Sequence, residues 1–118
     1  MLRAKTKNEI DIIMQELIEK VKPLFGDKLK KVVLYGSYAR GDYDEESDVD
    51  VMFLVDKEEE ELRKDVKKVI ILETEIGLQY DVFISPLLQS YAKFLKYLPV
   101  LPFYQNVEKE GIVIYEQG

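Results

Sequence analysis

Residues 32–55 read VVLYGSYARGDYDEESDVDVMFLV. Val32, Val33, Leu34 and Tyr35 have the content of a strand, Gly36-Ser37 breaks it, an acidic loop follows, and a second apolar run occupies residues 48–55. Strand side chains alternate between faces, so Val49, Val51, Phe53 and Val55 point together into a core. Asp48 and Asp50 share the opposite face at the strand's entrance, with Met52 and Leu54 behind them. Carboxylates roughly 7 Å apart on one face repel unless something positive lies between them. A divalent cation meets that need. Gly36-Ser37 offers its natural companions, backbone N–H groups and a hydroxyl able to bond phosphate oxygens. Gly36 also lets the backbone approach a ligand with no Cβ in the way. The spacing Gly36-xxxx-Gly41 invites comparison with a P-loop, but Asp42-Tyr43 stands where Lys-Ser/Thr is required.

Between Ser37 and Asp48-Val49-Asp50 lie ten residues, and Asp81 follows in the apolar segment 78–84. This GSYARGD…SDVDV pattern resembles the nucleotidyltransferase fold of the DNA polymerase β superfamily, and within it the minimal nucleotidyltransferase (MNT) domains. The resemblance covers nearly the whole chain. It implies an α/β architecture of the α+β type, a small mixed β-sheet with helices packed mainly on one side, as a single domain over residues 1–118. It also implies roles. Gly36 and Ser37 contact the nucleoside triphosphate, and Asp48, Asp50 and Asp81 form a catalytic, metal-holding carboxylate triad for two Mg²⁺ ions, or Mn²⁺. Asp81 is the candidate to take the acceptor's proton. Its competing reading is an edge-strand carboxylate facing water. Arg40 is a further phosphate-contact candidate, with pairing to Asp42 or Asp44 as the competing use.

Composition narrows the chemistry. The chain has 118 residues, 47% hydrophobic and 34% charged, which fits one ordinary globular core. With no His and no Cys, imidazole or thiolate zinc sites and Ser-His-Asp or Cys-His nucleophile pairs are excluded. Any metal is held by oxygen, which favours Mg²⁺ or Mn²⁺. A net charge of −6 argues against direct nucleic-acid binding. No run is apolar enough for a membrane span and no signal-peptide core opens the chain, so a cytoplasmic location is expected.

Outside the central stretch, Thr6-Lys7-Asn8-Glu9 has the form of a capping box. Ile10, Ile13, Met14, Leu17, Ile18, Val21 and Leu24 follow at helical spacing, with Ile12 off the stripe and Pro23 set to end or bend the helix. Ser37 is a candidate N-cap for a short turn, Tyr38-Ala39-Arg40, a use compatible with phosphate binding. Ser47 is expected to close the acidic loop by bonding backbone. A charged start and the apolar positions Leu62, Val66, Val69 and Ile70 predict a helix ending at Gly77. Residues 78–84 then read as a strand carrying Asp81. Ser85-Pro86 reads as N-cap and N1 of another helix, with Tyr91, Phe94, Leu95 and Leu98 on its apolar face. Residues 102–110 read as a short helix capped by Gly111, and residues 112–115 as a strand or tail. Tyr97, Phe103 and Tyr104 are candidates for core or for a partner-facing patch.

The resemblance implies transfer of a nucleoside monophosphate to a hydroxyl with loss of pyrophosphate. The chain has no room for the acceptor-binding domain of larger relatives, so the acceptor surface is expected from another copy or another protein. MNT proteins are commonly paired with HEPN-domain toxins, and act as antitoxins by transferring AMP from ATP to a toxin tyrosine. Two alternatives stand beside this reading. One is a small-molecule nucleotidyltransferase of the aminoglycoside-modifying type, working as a homo-oligomer. The other is a catalytically silent antitoxin that acts by binding alone.

Overall fold

The first long helix begins where its cap is written. In the computed structural model, which describes residues 5–117, the Glu9 N–H donates to Thr6 Oγ1 (3.2 Å) and the Thr6 N–H donates to Glu9 Oε1 (3.0 Å). This reciprocal pair satisfies two otherwise orphaned donors and starts α1 (Lys7–Phe25). Ile10, Ile13, Met14, Leu17, Ile18, Val21 and Phe25 are buried, whereas Ile12 is 60% exposed. Pro23 neither ends nor breaks the helix. It sits in the last turn, where its missing N–H costs one bond, and the chain leaves the helix at Gly26 with φ 57°.

Among the described residues four strands form one sheet in the order β3-β2-β1-β4. Strand β1 (Leu29–Tyr35) pairs antiparallel with β2 (Val49–Val55) and with β4 (Ile112–Glu116), and β2 pairs parallel with β3 (Ile84–Ser90). Parallel neighbours need a crossover, and α3 (Glu59–Tyr80) supplies it. Between β1 and β2 lies the single turn α2 (Ser37–Arg40). The helices α4 (Tyr91–Tyr97) and α5 (Pro102–Glu110) connect β3 to β4. Among the described residues no helix is long and apolar enough to cross a membrane.

The two faces of the sheet are covered differently. Val49, Val51, Phe53 and Val55 join Val32 and Leu34 against α1 and α3 in a large apolar cluster. On the other face, Val33, Met52 and Leu54 meet Phe94, Tyr104 and Val107 of α4 and α5 in a smaller one. Strand β2 is therefore core on both faces beyond its first residues, as its unbroken apolar run requires.

The region after Val55 departs from the expected pattern. Leu62, Asp65, Val69 and Ile76 are the buried positions of α3, while Val66 and Ile70 are 38% and 45% exposed. Asp65 is tolerated inside because Lys57 Nζ lies 2.9 Å from its Oδ2. Helix α3 runs through Gly77 to Tyr80 and consumes residues expected to be strand. Gly77 serves the chain reversal from within the helix. The Val82 N–H donates to the Gly77 carbonyl (3.0 Å), and a Cβ on Gly77 would stand 2.6 Å from the Val82 carbonyl oxygen. Asp81 is consequently the C-cap of α3, in the left-handed region at φ 55°, ψ 56°. It does not lie on a strand.

Ser85 and Pro86 do not open a helix either. They lie in β3, opposite Asp50 and Val51 of β2. Proline is tolerated there because β3 is an edge strand. Helix α4 starts only at Tyr91, where Ser90 Oγ accepts from the Lys93 N–H (3.2 Å). Phe94 of α4 is buried, and Tyr91 and Leu98 pack partly against the same cluster, but Leu95 is 51% exposed. The expected helix 102–110, its Gly111 cap and the final strand all form.

Candidate functional site

Gly36 and Asp50 are locked together. Tyr35 stands opposite Asp50 in the β1–β2 register, which brings the turn after β1 directly over the start of β2. Gly36 has φ 75°, ψ −154°, a region that residues with a Cβ avoid. A Cβ built there would collide with the Asp50 carboxylate. Glycine is thus required twice at this position, for its dihedral angles and for the carboxylate lying across it. Gly36, not Ser37, is the N-cap of α2, and no side-chain cap bond is made. The Ser37 hydroxyl has no hydrogen-bond partner among the described residues. It is available to a ligand.

These residues line a cleft of about 350 Å³ together with Tyr35, Arg40 and, from α5, Phe103, Asn106, Val107 and Glu110. That volume lies in the range of small-ligand sites, about 300–1,000 Å³. Burial, followed by the charge of Asp48, pushes the Asp50 carboxyl above its ordinary range, while Arg40 pulls it down. Burial and then the Asp50 charge raise the Tyr35 hydroxyl. Arg40 is exposed and already engaged: its Nε lies 3.2 Å from Asp42 Oδ2 and its Nη1 3.6 Å from Glu110 Oε2. The latter pair ties α2 to α5 across one end of the cleft.

Asp48 immediately precedes the first residue of β2 and is exposed. It borders two neighbouring hollows. One it shares with Asp81, Ser47, Tyr38 and Phe83, and the other with Val66 and Ile70 of α3 and Ser85 and Leu87 of β3. The loop before it is held by stacked Tyr38 and Tyr43 rings, 4.3 Å apart. Within the loop, Ser47 Oγ accepts from the Asp44 N–H (3.0 Å), the closing role expected of it.

The expected triad is not gathered. Among the described residues no group of three or more acidic side chains is arranged to hold a metal. Strand register explains why. The β3 neighbour of Asp50 is Ser85, and the Val49 N–H bonds the Phe83 carbonyl, which sets Phe83 beside Asp48. The places beside the two acids, on β3 and in the residue just before it, hold a serine and a phenylalanine, while Asp81 lies at the helix end. What remains is a like-charge pair, Asp48 and Asp50, with no ion-pair partner for either among the described residues. Such a pair suits a divalent cation whose remaining oxygen ligands come from phosphate and water.

Sequence reasoning missed the α5 wall of the cleft. The signal was present in the amphipathic pattern of residues 102–110. Tyr104 and Val107 face the core, and Phe103, Asn106 and Glu110 lie along the other side, spaced three to four residues apart. Nothing in that pattern says which surface the second side meets. The helix is seated by a buried relay: Tyr104 OH donates to Gln89 Oε1 (2.9 Å), and Gln89 Nε2 donates to Glu59 Oε1 (2.6 Å).

Comparison with known proteins agrees with this architecture. The chain is 42% identical over 106 residues to a Methanocaldococcus jannaschii protein named "Putative protein adenylyltransferase MJ0141", spanning 90% of this chain and 99% of that one. It is 37% identical over 102 residues to "Putative protein adenylyltransferase MJ0604" of the same organism, spanning 86% and 94%. Its fold is similar to a solved "toxin-antitoxin with AMP-PNP", with TM-score 0.59 and 17% identity over 91% of this chain and 73% of that one. Residues 14–114 match the family described as "Nucleotidyltransferase domain". With nearly the whole chain inside that match, and the Gly36–Asp50 lock at the head of the cleft, the protein belongs to the nucleotidyltransferase domain family and is an enzyme of nucleotidyl transfer.

Proposed function

We propose that this enzyme transfers AMP from ATP to a tyrosine hydroxyl of a HEPN-domain toxin, and so acts as its antitoxin in the cytoplasm. The observation that carries the reading is the contact of Gly36 with the Asp50 carboxylate, which sets a free serine hydroxyl and an unpaired acid at one end of the same cleft. The names of the two relatives and of the structural neighbour support the nucleotide and the partner class.

In this reading Ser37 Oγ and the N–H groups of Ser37 and Tyr38, which precede the first bonded N–H of α2, hold the β- and γ-phosphate oxygens. Asp48 and Asp50 would hold Mg²⁺, or Mn²⁺, which when bound would supply neutralisation of the phosphates and polarisation of the acceptor oxygen. The acceptor oxygen forms a bond to the α-phosphorus, the bond from that phosphorus to the bridging oxygen breaks, and pyrophosphate leaves. The acceptor proton passes to a site carboxylate. A protein acceptor has a natural approach over the apolar strip beside Asp48, where Phe83 is 75% and Ile70 45% exposed.

Incubation with α-labelled ATP, Mg²⁺ and the product of the adjacent gene tests the proposal. Label on that protein, lost in an Asp48→Ala/Asp50→Ala variant, is the expected result. No transfer, with toxicity still blocked by the double variant, identifies an antitoxin that works by binding. Label on an aminoglycoside and none on protein identifies the small-molecule enzyme.

A further inference from the structure

The cleft has two unlike walls, and the second has no use in the chemistry described so far. Gly36, Ser37, Arg40 and Asp50 form a polar and charged wall suited to phosphate and cation. Opposite them, α5 presents Phe103 and Asn106, a phenyl ring and a neutral amide. The ring offers a phosphate nothing, and the amide, though able to donate to one, brings no charge to neutralise it. A flat heterocycle with a π face and a hydrogen-bonding edge suits both.

We propose that this α5 wall is the nucleoside subsite, in which Phe103 stacks on the base and the Asn106 amide bonds the base edge. The proposal rests on the reading of the Gly36–Asp50 wall as the triphosphate end. Phe103 is 46% exposed although both Tyr104 and Val107, its neighbours along the helix, are buried. Its ring is not loose, because it meets Tyr35 edge to face at 5.7 Å and 77°. It also meets the Tyr104 ring at 6.0 Å and 46°; neither contact is a face-to-face stack, and the exposed part of the ring remains for a base. Asn106 is exposed, lies three residues on, and carries one acceptor and two donors with no partner among the described residues. An amide of this kind complements adenine, whose 6-amino donor adjoins a ring-nitrogen acceptor. The Tyr104–Gln89–Glu59 relay seats α5, and the exposed Arg40–Glu110 pair spans the two walls.

The test compares binding of ATP and of inorganic triphosphate, each with Mg²⁺, by calorimetry. Phe103→Ala should weaken ATP binding about tenfold and leave inorganic triphosphate unchanged, while Phe103→Trp should retain ATP. Wild type should bind ATP about fivefold more tightly than purine riboside triphosphate, which lacks the 6-amino group, and Asn106→Ala should erase that difference. Equal losses for ATP and inorganic triphosphate, or no loss of ATP binding in Phe103→Ala, would overturn the subsite. Such a result, with ATP binding still dependent on Ser37 and Asp50, leaves the nucleotidyl-transfer reading standing. Failure of wild type to bind ATP at all removes both.

Discussion

The two faces of the sheet solve opposite problems with the same strands. The face under α1 and α3 carries the larger apolar cluster, and the acid buried there among the described residues, Asp65, is paired with Lys57. The face under α4 and α5 is only half covered. Past Met52 and Leu54 the covering stops, and Asp50, Gly36 and Tyr35 line a cleft. The first face holds most of the buried apolar side chains, while the second carries Asp50 with no ion-pair partner among the described residues. A single residue step along β2, from Val51 to Asp50, crosses from one regime to the other.

That contrast can be broken or sharpened by substitution. The largest effect is expected on chemistry: Asp50→Ala should lower nucleotidyl transfer by at least about 100-fold with little loss of thermal stability. A parallel collapse of the fold would show that the open face is structural after all. On the closed face, Phe53→Ala should cost about 3–5 kcal/mol in urea unfolding, a large share of the total for a domain of this size, while the folded fraction still binds ATP. Gly36→Ala joins the two regimes. Its forced left-handed backbone and displaced Asp50 should cost about 1–3 kcal/mol and most of the transfer activity. Tyr104→Phe, which removes only the bond to Gln89, should cost about 1 kcal/mol and raise KM for ATP by releasing α5.

The smallest effect has an informative sign. The Asp50 pKa is raised in the folded state, so between the unfolded and folded values the folded chain binds more protons, and stability falls as pH rises through that window. Above it the ionised carboxylate destabilises the metal-free fold by a constant amount. Asp50→Asn should therefore raise Tm at neutral pH with a chelator present, and the gain should vanish below the ordinary carboxylate range. A lower Tm at neutral pH would mean that Asp50 has a cationic partner in the folded chain.

Legibility from sequence followed the range of the interactions. The capping box of Thr6 and Glu9, the α1 stripe, the alternation along β2 and the Gly111 cap all depend on neighbours within one or two turns, and they appear where expected. Errors gathered in residues 77–90. Gly77 looked like a stop and is a point of close backbone approach. Ser85-Pro86 looked like a helix start and is an edge strand, because pairing with β2 outweighs local turn preference. Asp81 was misplaced as a consequence of both.

The sequence by itself determined the order of strand, glycine turn and acid-bearing strand, because apolar periodicity and a Cβ-free turn are local properties of the chain. Tertiary structure alone decided which side chains meet: that Asp50 lies across Gly36, that Ser85 of β3 and Phe83 just before it lie beside the two acids, and that α5 closes the cleft with Phe103 and Asn106. Those outcomes depend on β2–β3 register and on the seating of α5 by Tyr104 and Gln89, contacts between residues too far apart in the chain for any local pattern to encode.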